Sequence, residues 1–233
     1  MQEKFTGLVL GGVNFGDNDK ILTIFTLEKG LITAKIKGVK KAGAKLKFAS
    51  EPFCFAEFVI TGTNAKRVVT GASLIESFYS IREDIVKFFA GGSILEFNRK
   101  FLKEDIISKN LFAITIDALK EIAFSNENPK KVLSLFLLNA LSIVGYGLTV
   151  KECNCNEKEK VYFHYSNGTF YCEKCKPIGA REINSLTFST LKNLLLKEES
   201  SLDGIDMALR LLEYYISNKC EVTVKSLKEL ISL

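Results

Sequence analysis

The sequence predicts an α+β fold, a small strand-built domain followed by a larger helical one, on three observations. Up to about residue 80, short apolar runs alternate at a period of two and are separated by Gly-, Asn- and Asp-containing turns. Beyond Tyr79 the apolar residues recur at three- and four-residue spacing, the period of an amphipathic helix. A cysteine-rich insert at roughly 150–178 interrupts the helical pattern. The 233 residues suffice for one large domain or two small ones with real cores.

The clearest strand is "LITAKIKGV", where Ile32, Ala34 and Ile36 alternate with Thr33, Lys35 and Lys37. This gives one apolar and one largely basic face. "FTGLVLGGV", "KILTIFTL", "PFCFAEFVI" and "KRVVTGASLIE" supply four more strands. "GDND", "EKG", a lysine-rich loop and "TGTNA" separate them. Five short strands suit a small barrel, and five is the strand number of an OB fold, which sets an OB domain at residues 1–80.

The helical domain, residues 81–233, begins with "IREDIVKFFAGGSILEFNRKFL", "KNLFAITIDALKEIAF" and "PKKVLSLFLLNALSIVGYG". Pro129 suits the first turn of the third helix, and Gly145 or Gly147 its end. The pair Gly91-Gly92 argues against the first helix by about 2 kcal/mol relative to alanine. Three further helices are expected at about 185–197, 204–218 and 222–232, with Ser185 and Thr223 as N-caps. Without a linker between the halves, barrel and helices are expected to pack closely.

Apolar residues make up 47% and charged residues 25%, a globular composition that excludes a disordered chain. The most apolar segment, from Val132, is shorter than the roughly 18–20 residues of a membrane span and contains Ser134, Asn139 and Ser142. With no signal peptide in "MQEKFTGLVLGG", the expected compartment is the cytoplasm, with no membrane partner. The net charge of +5 is unevenly spread, because residues 1–80 carry 11 basic and 7 acidic groups.

Four of the six cysteines lie in the insert, as Cys153-x-Cys155 and Cys172-x-x-Cys175. The second pair has the spacing at which two thiolates converge from a tight turn onto zinc. Between the pairs, "VYFHYSNGTFYC" reads as a hairpin with its turn at Ser166-Asn167-Gly168, which returns the chain to the first pair as in a zinc ribbon. One structural zinc per chain on Cys153, Cys155, Cys172 and Cys175 is the expectation. The tight C-x-C spacing leaves open that one sulfur is displaced, with His164 in its place, or that the hairpin is metal-free. His164, the sole histidine, otherwise reads as an ordinary strand residue. Cys54 and Cys220 sit in apolar contexts and read as core.

Between Glu28 and Glu51 stand seven lysines and no carboxylate. "GVKKAGAK" is not a phosphate-binding P-loop, since Ala44 follows the second glycine and Leu46 stands where a hydroxyl is required. With the one histidine already accounted for in the insert, no second one remains for a Ser-His or Cys-His pair and no H-E-x-x-H is possible, so no enzymatic activity is expected. Asp17 and Asp19 read as a solvated turn. The alternatives for the basic run are a solvated loop and a groove wall for a nucleic-acid backbone. Uncompensated charge over 22 residues favours the second, with Lys35, Lys37, Lys40, Lys41, Lys45 and Lys47 as DNA contacts. Phe53 and Phe55 are candidate stacking surfaces for bases, though strand phenylalanines are more often core.

The order of these parts resembles the RecO family of bacterial recombination mediators and DNA repair proteins. The similarity rests on "GLVLGGVNFGDNDKILTIFTLEKGLITAKIKGVKK", "LFAITIDALKEIA" and "LFLLNALSIVGYGLTVKECNC…FYCEKC", and it covers essentially the whole chain. The resemblance implies an N-terminal OB fold, a helical C-terminal domain and, in many members, a zinc site at the insert. It also implies binding and annealing of single- and double-stranded DNA, and work with RecR to load recombinase onto DNA coated by single-strand DNA-binding protein. That protein's acidic C-terminal tail is a further implied partner. Two features depart from the family: C-x-C replaces C-x-x-C, and the loop uses Lys almost exclusively where relatives mix in Arg. A non-enzymatic adaptor whose basic and apolar surfaces dock acidic tails is the alternative reading.

Overall fold

The computed structural model describes residues 2–63, 66–152, 155, 160–196, 198 and 202–233. Strands β1 (Gln2–Phe15), β2 (Asp19–Thr26), β3 (Gly30–Ile36), β4 (Phe55–Thr61) and β5 (Val68–Glu76) close into a barrel in the order β1-β2-β3-β5-β4, with β4 pairing back onto β1. The expected alternation of β3 holds. Ile32, Ala34 and Ile36 fill the barrel with Leu22, Ile24, Phe58 and Val69, while Thr33 and Lys35 face outward.

Strand β1 does not alternate throughout. Val9 stands opposite Ile24, but Gly11 stands opposite Thr23, so β1 carries one extra residue between them. Residues paired across an antiparallel ladder share a face, and a bulge of one residue reverses the side to which later residues point. Phe5 and Val9 therefore point into the barrel, whereas Val13 (opposite Ile21) and Phe15 (opposite Asp19) point out. Sequence periodicity alone places all four on one face.

The barrel is tied to the helices by a second and larger core. Leu8, Leu10, Phe25 and Leu31 point away from the barrel interior into a cluster shared with every long helix. The Phe25 and Phe112 rings meet edge-to-face at 5.1 Å. Close packing of the two halves follows from this shared apolar surface.

The helices are α1 (Ile85–Phe101), α2 (Lys109–Phe124), α3 (Pro129–Ile143), α4 (Ser185–Leu196), α5 (Ile205–Lys219) and α6 (Lys225–Ser232). Helix α1 starts four residues later than the sequence suggests, because Tyr79–Arg82 form a 3-10 turn and Asp84 caps the helix by accepting from Lys87 N at 2.8 Å. Gly91-Gly92 nevertheless lies inside α1, for a packing reason. A Cβ at Gly91 would come within 3.0 Å of both Ile81 and Phe53, and one at Gly92 within 3.2 Å of Ser226. The missing side chains let α1 approach the barrel and α6, offsetting the low helix propensity.

Two expected N-caps are corrected. Ser185 is already helical, and Asn184 is the cap, its Oδ1 accepting from Leu186 N at 2.7 Å. Thr223 does not cap α6, which has no side-chain cap of its own. The buried carboxylate of Glu96 on α1 does this instead, accepting from Ser226 N at 2.9 Å and Ser226 Oγ at 3.2 Å. The insert contains the expected hairpin, β7 (Val161–His164) and β8 (Thr169–Cys172), with Gly168 at its turn. Two short strands the sequence did not reveal, β6 (Thr149–Val150) and β9 (Arg181–Ile183), flank it in the order β6-β8-β7-β9. Among the described residues no helix is long and apolar enough to cross a membrane.

Candidate nucleic-acid interface

The lysine-rich segment after β3 is a chain of tight turns rather than an open loop. Gly38 (φ 68°) and Gly43 (φ 74°) adopt left-handed backbone at two of them, a conformation that costs glycine least. Val39 is buried in the barrel core, with Leu46 and Phe48 packed partly against it, so apolar residues hold the segment to one end of the barrel. Lys37, Lys40, Lys41, Lys45 and Lys47 are all exposed and form no ion pair with any described residue. Their charges project from a fixed scaffold.

Lys35 differs from its neighbours. Its ammonium lies 2.9 Å from Asp19 Oδ2 and 4.3 Å from the centre of the Phe15 ring. Asp19 Oδ1 also accepts from Gly38 N at 2.8 Å, and Lys40 N donates to Asn18 O at 3.1 Å. The Lys35 ammonium and the Gly38 amide hold the Asp19 carboxyl below its ordinary value. Asp19 is therefore not a merely solvated turn residue. It stitches the β1–β2 turn to the start of the lysine segment and neutralises Lys35 locally. Linear sequence hides this partner, because Asp19 precedes the run and reaches it only across the sheet.

The stacking role considered for Phe53 and Phe55 is overturned by burial. Phe53 is 3% exposed, and Phe55 is half-buried with its ring 6.2 Å from that of Phe112. The exposed ring of the barrel strands is Phe15, at 48% exposure, beside Val13 at 64%. Its signal in the sequence is an aromatic directly before the "GDND" turn.

In the insert, the sulfurs of Cys155, Cys172 and Cys175 lie within 4.8 Å of one another, with Cys155 and Cys175 Sγ 3.5 Å apart. Tetrahedral zinc with Zn–S bonds of about 2.3 Å sets sulfurs about 3.8 Å apart, so three thiolates at this spacing fit the metal. The C-x-x-C turn is closed by Cys175 N donating to Cys172 O at 3.2 Å. Cys153 lies outside the described residues. His164 is not part of the thiol cluster. It pairs with Thr169 at the turn end of the hairpin, while Cys172 pairs with Val161 at the other end. Cys54 is buried inside the barrel and Cys220 packs half-buried on the larger core, as expected.

Residues 1–78 match the model of the recombination protein O N-terminal domain, and residues 82–228 match that of the recombination protein O C-terminal domain. This chain belongs to the recombination protein O family. It is similar to the DNA repair protein RecO of Acetivibrio thermocellus, at 27% identity over 217 residues covering 87% of this chain and 86% of that protein. The DNA repair protein RecO of Caldicellulosiruptor bescii is 27% identical over 219 residues, covering 93% and 87%. That of Bacillus pumilus is 30% identical over 178 residues, covering 74% and 68%. The two recombination protein O matches adjoin within Tyr79–Arg82, the 3-10 turn that leads from the barrel into α1.

Proposed function

We propose that this chain is a non-enzymatic DNA-binding protein of repair and recombination that anneals complementary strands. The observation that carries the reading is the set of five exposed lysines, held without carboxylate partners among the described residues on a segment anchored to a small barrel of OB type. Lysine ammonium groups displace condensed counterions from phosphates, which gives affinity without sequence preference. Annealing needs no cofactor beyond this: neutralised phosphates repel less, and a shallow surface leaves base edges free to pair. Work with RecR in loading recombinase on single strands belongs to the same reading and rests on family membership. Zinc bound by Cys155, Cys172 and Cys175, with Cys153 as fourth ligand, has no open position for water, so its role is to hold the insert together.

The experiment is DNA binding and strand annealing by the protein alone, compared with a variant in which Lys37, Lys40, Lys41 and Lys45 are all alanine. Loss of both activities in a folded variant supports the reading. Equal activity in both proteins overturns it.

A separate observation favours an additional adaptor role. A groove of about 300 Å³ between barrel, α1 and α6 is lined by Leu10, Phe53, Phe88 and Leu95, with Arg82 and Arg99 among its walls beside the Glu96 carboxylate, which is taken up by Ser226. Apolar floor and guanidinium groups suit an acidic peptide with an apolar residue, such as the tail of single-strand DNA-binding protein. Arg99→Glu should abolish tail-peptide binding while leaving DNA affinity within two-fold.

A further inference from the structure

We infer that Phe15 is a base-stacking platform that gives the lysine surface a preference for unpaired over paired strands. This rests on the DNA-binding reading above and adds to it a residue and a ligand class, the nucleobases of a single strand. The bulge between Val9 and Gly11 turns Val13 and Phe15 onto the outer face of the barrel. There the rows Val13–Ile21–Lys35 and Phe15–Asp19 run across β1, β2 and β3. The outer face of strands 2 and 3, with the loop joining strands 1 and 2, is where small barrels of this type take up oligonucleotides.

Nearly half of the Phe15 side chain stays in solvent, so the fold forgoes much of the gain its burial would bring. The contact Phe15 makes is with a cation, not with the core. The Lys35 ammonium sits 4.3 Å from its ring centre and is itself fixed by Asp19 at 2.9 Å. Among the described residues Phe15 has no aromatic neighbour within its own fold, and it is the sole exposed aromatic of the five barrel strands. The ring is thus positioned, with the Lys35 ammonium over it and nearly half of its surface open to solvent. Lys37 leaves β3 at the same end, and Lys40 is tied by its backbone to Asn18 of the β1–β2 turn. A single strand whose phosphates follow Lys37, Lys40 and Lys41 brings its bases against the ring. A duplex offers phosphates but keeps its base faces stacked and unavailable. One ring, rather than a ladder of rings, holds one base and leaves its neighbours free to pair, as annealing requires.

The test measures affinity for three probes of equal length: oligothymidylate, an oligomer of abasic sites, and a duplex. Wild type is compared with Phe15→Ala and Phe15→Leu. Stacking on one aromatic predicts a loss of about five- to 150-fold for oligothymidylate in both variants. Affinity for the abasic oligomer and the duplex should stay within two-fold. The chain contains no tryptophan, so Phe15→Trp creates a single indole that can be excited apart from the seven tyrosines. Its emission should be quenched by oligothymidylate and not by the abasic oligomer. Equal losses on all three probes, no loss on any, or an unquenched tryptophan would each overturn the inference. Wild-type binding that depends on the lysines but not on Phe15 defeats this inference alone. Absence of DNA binding by the wild type defeats the parent reading with it.

Discussion

Replacement of Lys37, Lys40, Lys41 and Lys45 by alanine tests the interface through salt dependence, because the magnitude follows from the number of phosphates contacted. All four ammonium groups are exposed and without an ion-pair partner among the described residues, so none must leave a protein carboxylate to meet DNA. Each lysine that neutralises one phosphate contributes about 0.7 to the log–log salt slope for a single strand and about 0.9 for a duplex. If three or four touch the backbone, the variant's slope should flatten by about two to three units. Counterion release scales with the logarithm of salt concentration, so the two proteins should differ about 100- to 1,000-fold at 0.1 M and converge near 1 M. The side chains are exposed and Val39, Leu46 and Phe48 are untouched, so stability should change by no more than about 0.5 kcal/mol per site. The assay is fluorescence anisotropy with an oligothymidylate and a duplex over a range of salt, on variants whose melting is checked. An affinity loss independent of salt would refute the electrostatic argument. An unchanged slope in a folded variant would show the segment to be a solvated surface. Lys35→Ala serves as the internal contrast: its charge is already matched by Asp19, so the slope should shift by less than about 0.7.

Metal analysis of protein purified under reducing conditions without added metal should give about one zinc per chain. Cys175→Ser should lose the metal and His164→Ala should keep it; loss of zinc in the histidine variant would contradict the thiol assignment. Glu96→Ala removes the acceptor for the first turn of α6 and should cost about 1 kcal/mol, a fall of about 2–4 °C in melting temperature. Amide exchange should rise selectively in α6, and unchanged protection there would show that packing alone holds the helix. Burial pushes the Cys54 and Cys220 thiols up to about 11, from an ordinary value of 9.0. Both should resist alkylation at pH 8 in the folded state and react on denaturation. Their contribution to stability is complete below about pH 9 and is lost as pH rises through about 11, because only the unfolded chain releases these protons across that window. Rapid labelling of native Cys54 at pH 8 would contradict its burial.

Where a residue's role depended on its immediate neighbours, the sequence was mostly sufficient, the cap at Asn184 rather than Ser185 being a local exception. The alternation of Ile32, Ala34 and Ile36 marked the barrel interior, the three- and four-residue spacing marked six helices, and Ser166-Asn167-Gly168 marked the hairpin turn. The C-x-x-C pair is equally local, since two residues between cysteines suffice to close the turn. What the sequence did not disclose depends on groups brought together across the chain. Asp19 neutralises Lys35, and Glu96 supplies the cap that Thr223 does not. Gly91 stands inside a helix because Phe53, distant in sequence, must fit beside it. A single extra residue in β1 turns Phe15 from the inner to the outer face, a reversal that composition and propensity do not encode. Propensity and periodicity act over a few residues and are written in order along the chain. The pairing of charges, the close approach of backbones and the register of a ladder are fixed only when the closed barrel sets distant segments side by side.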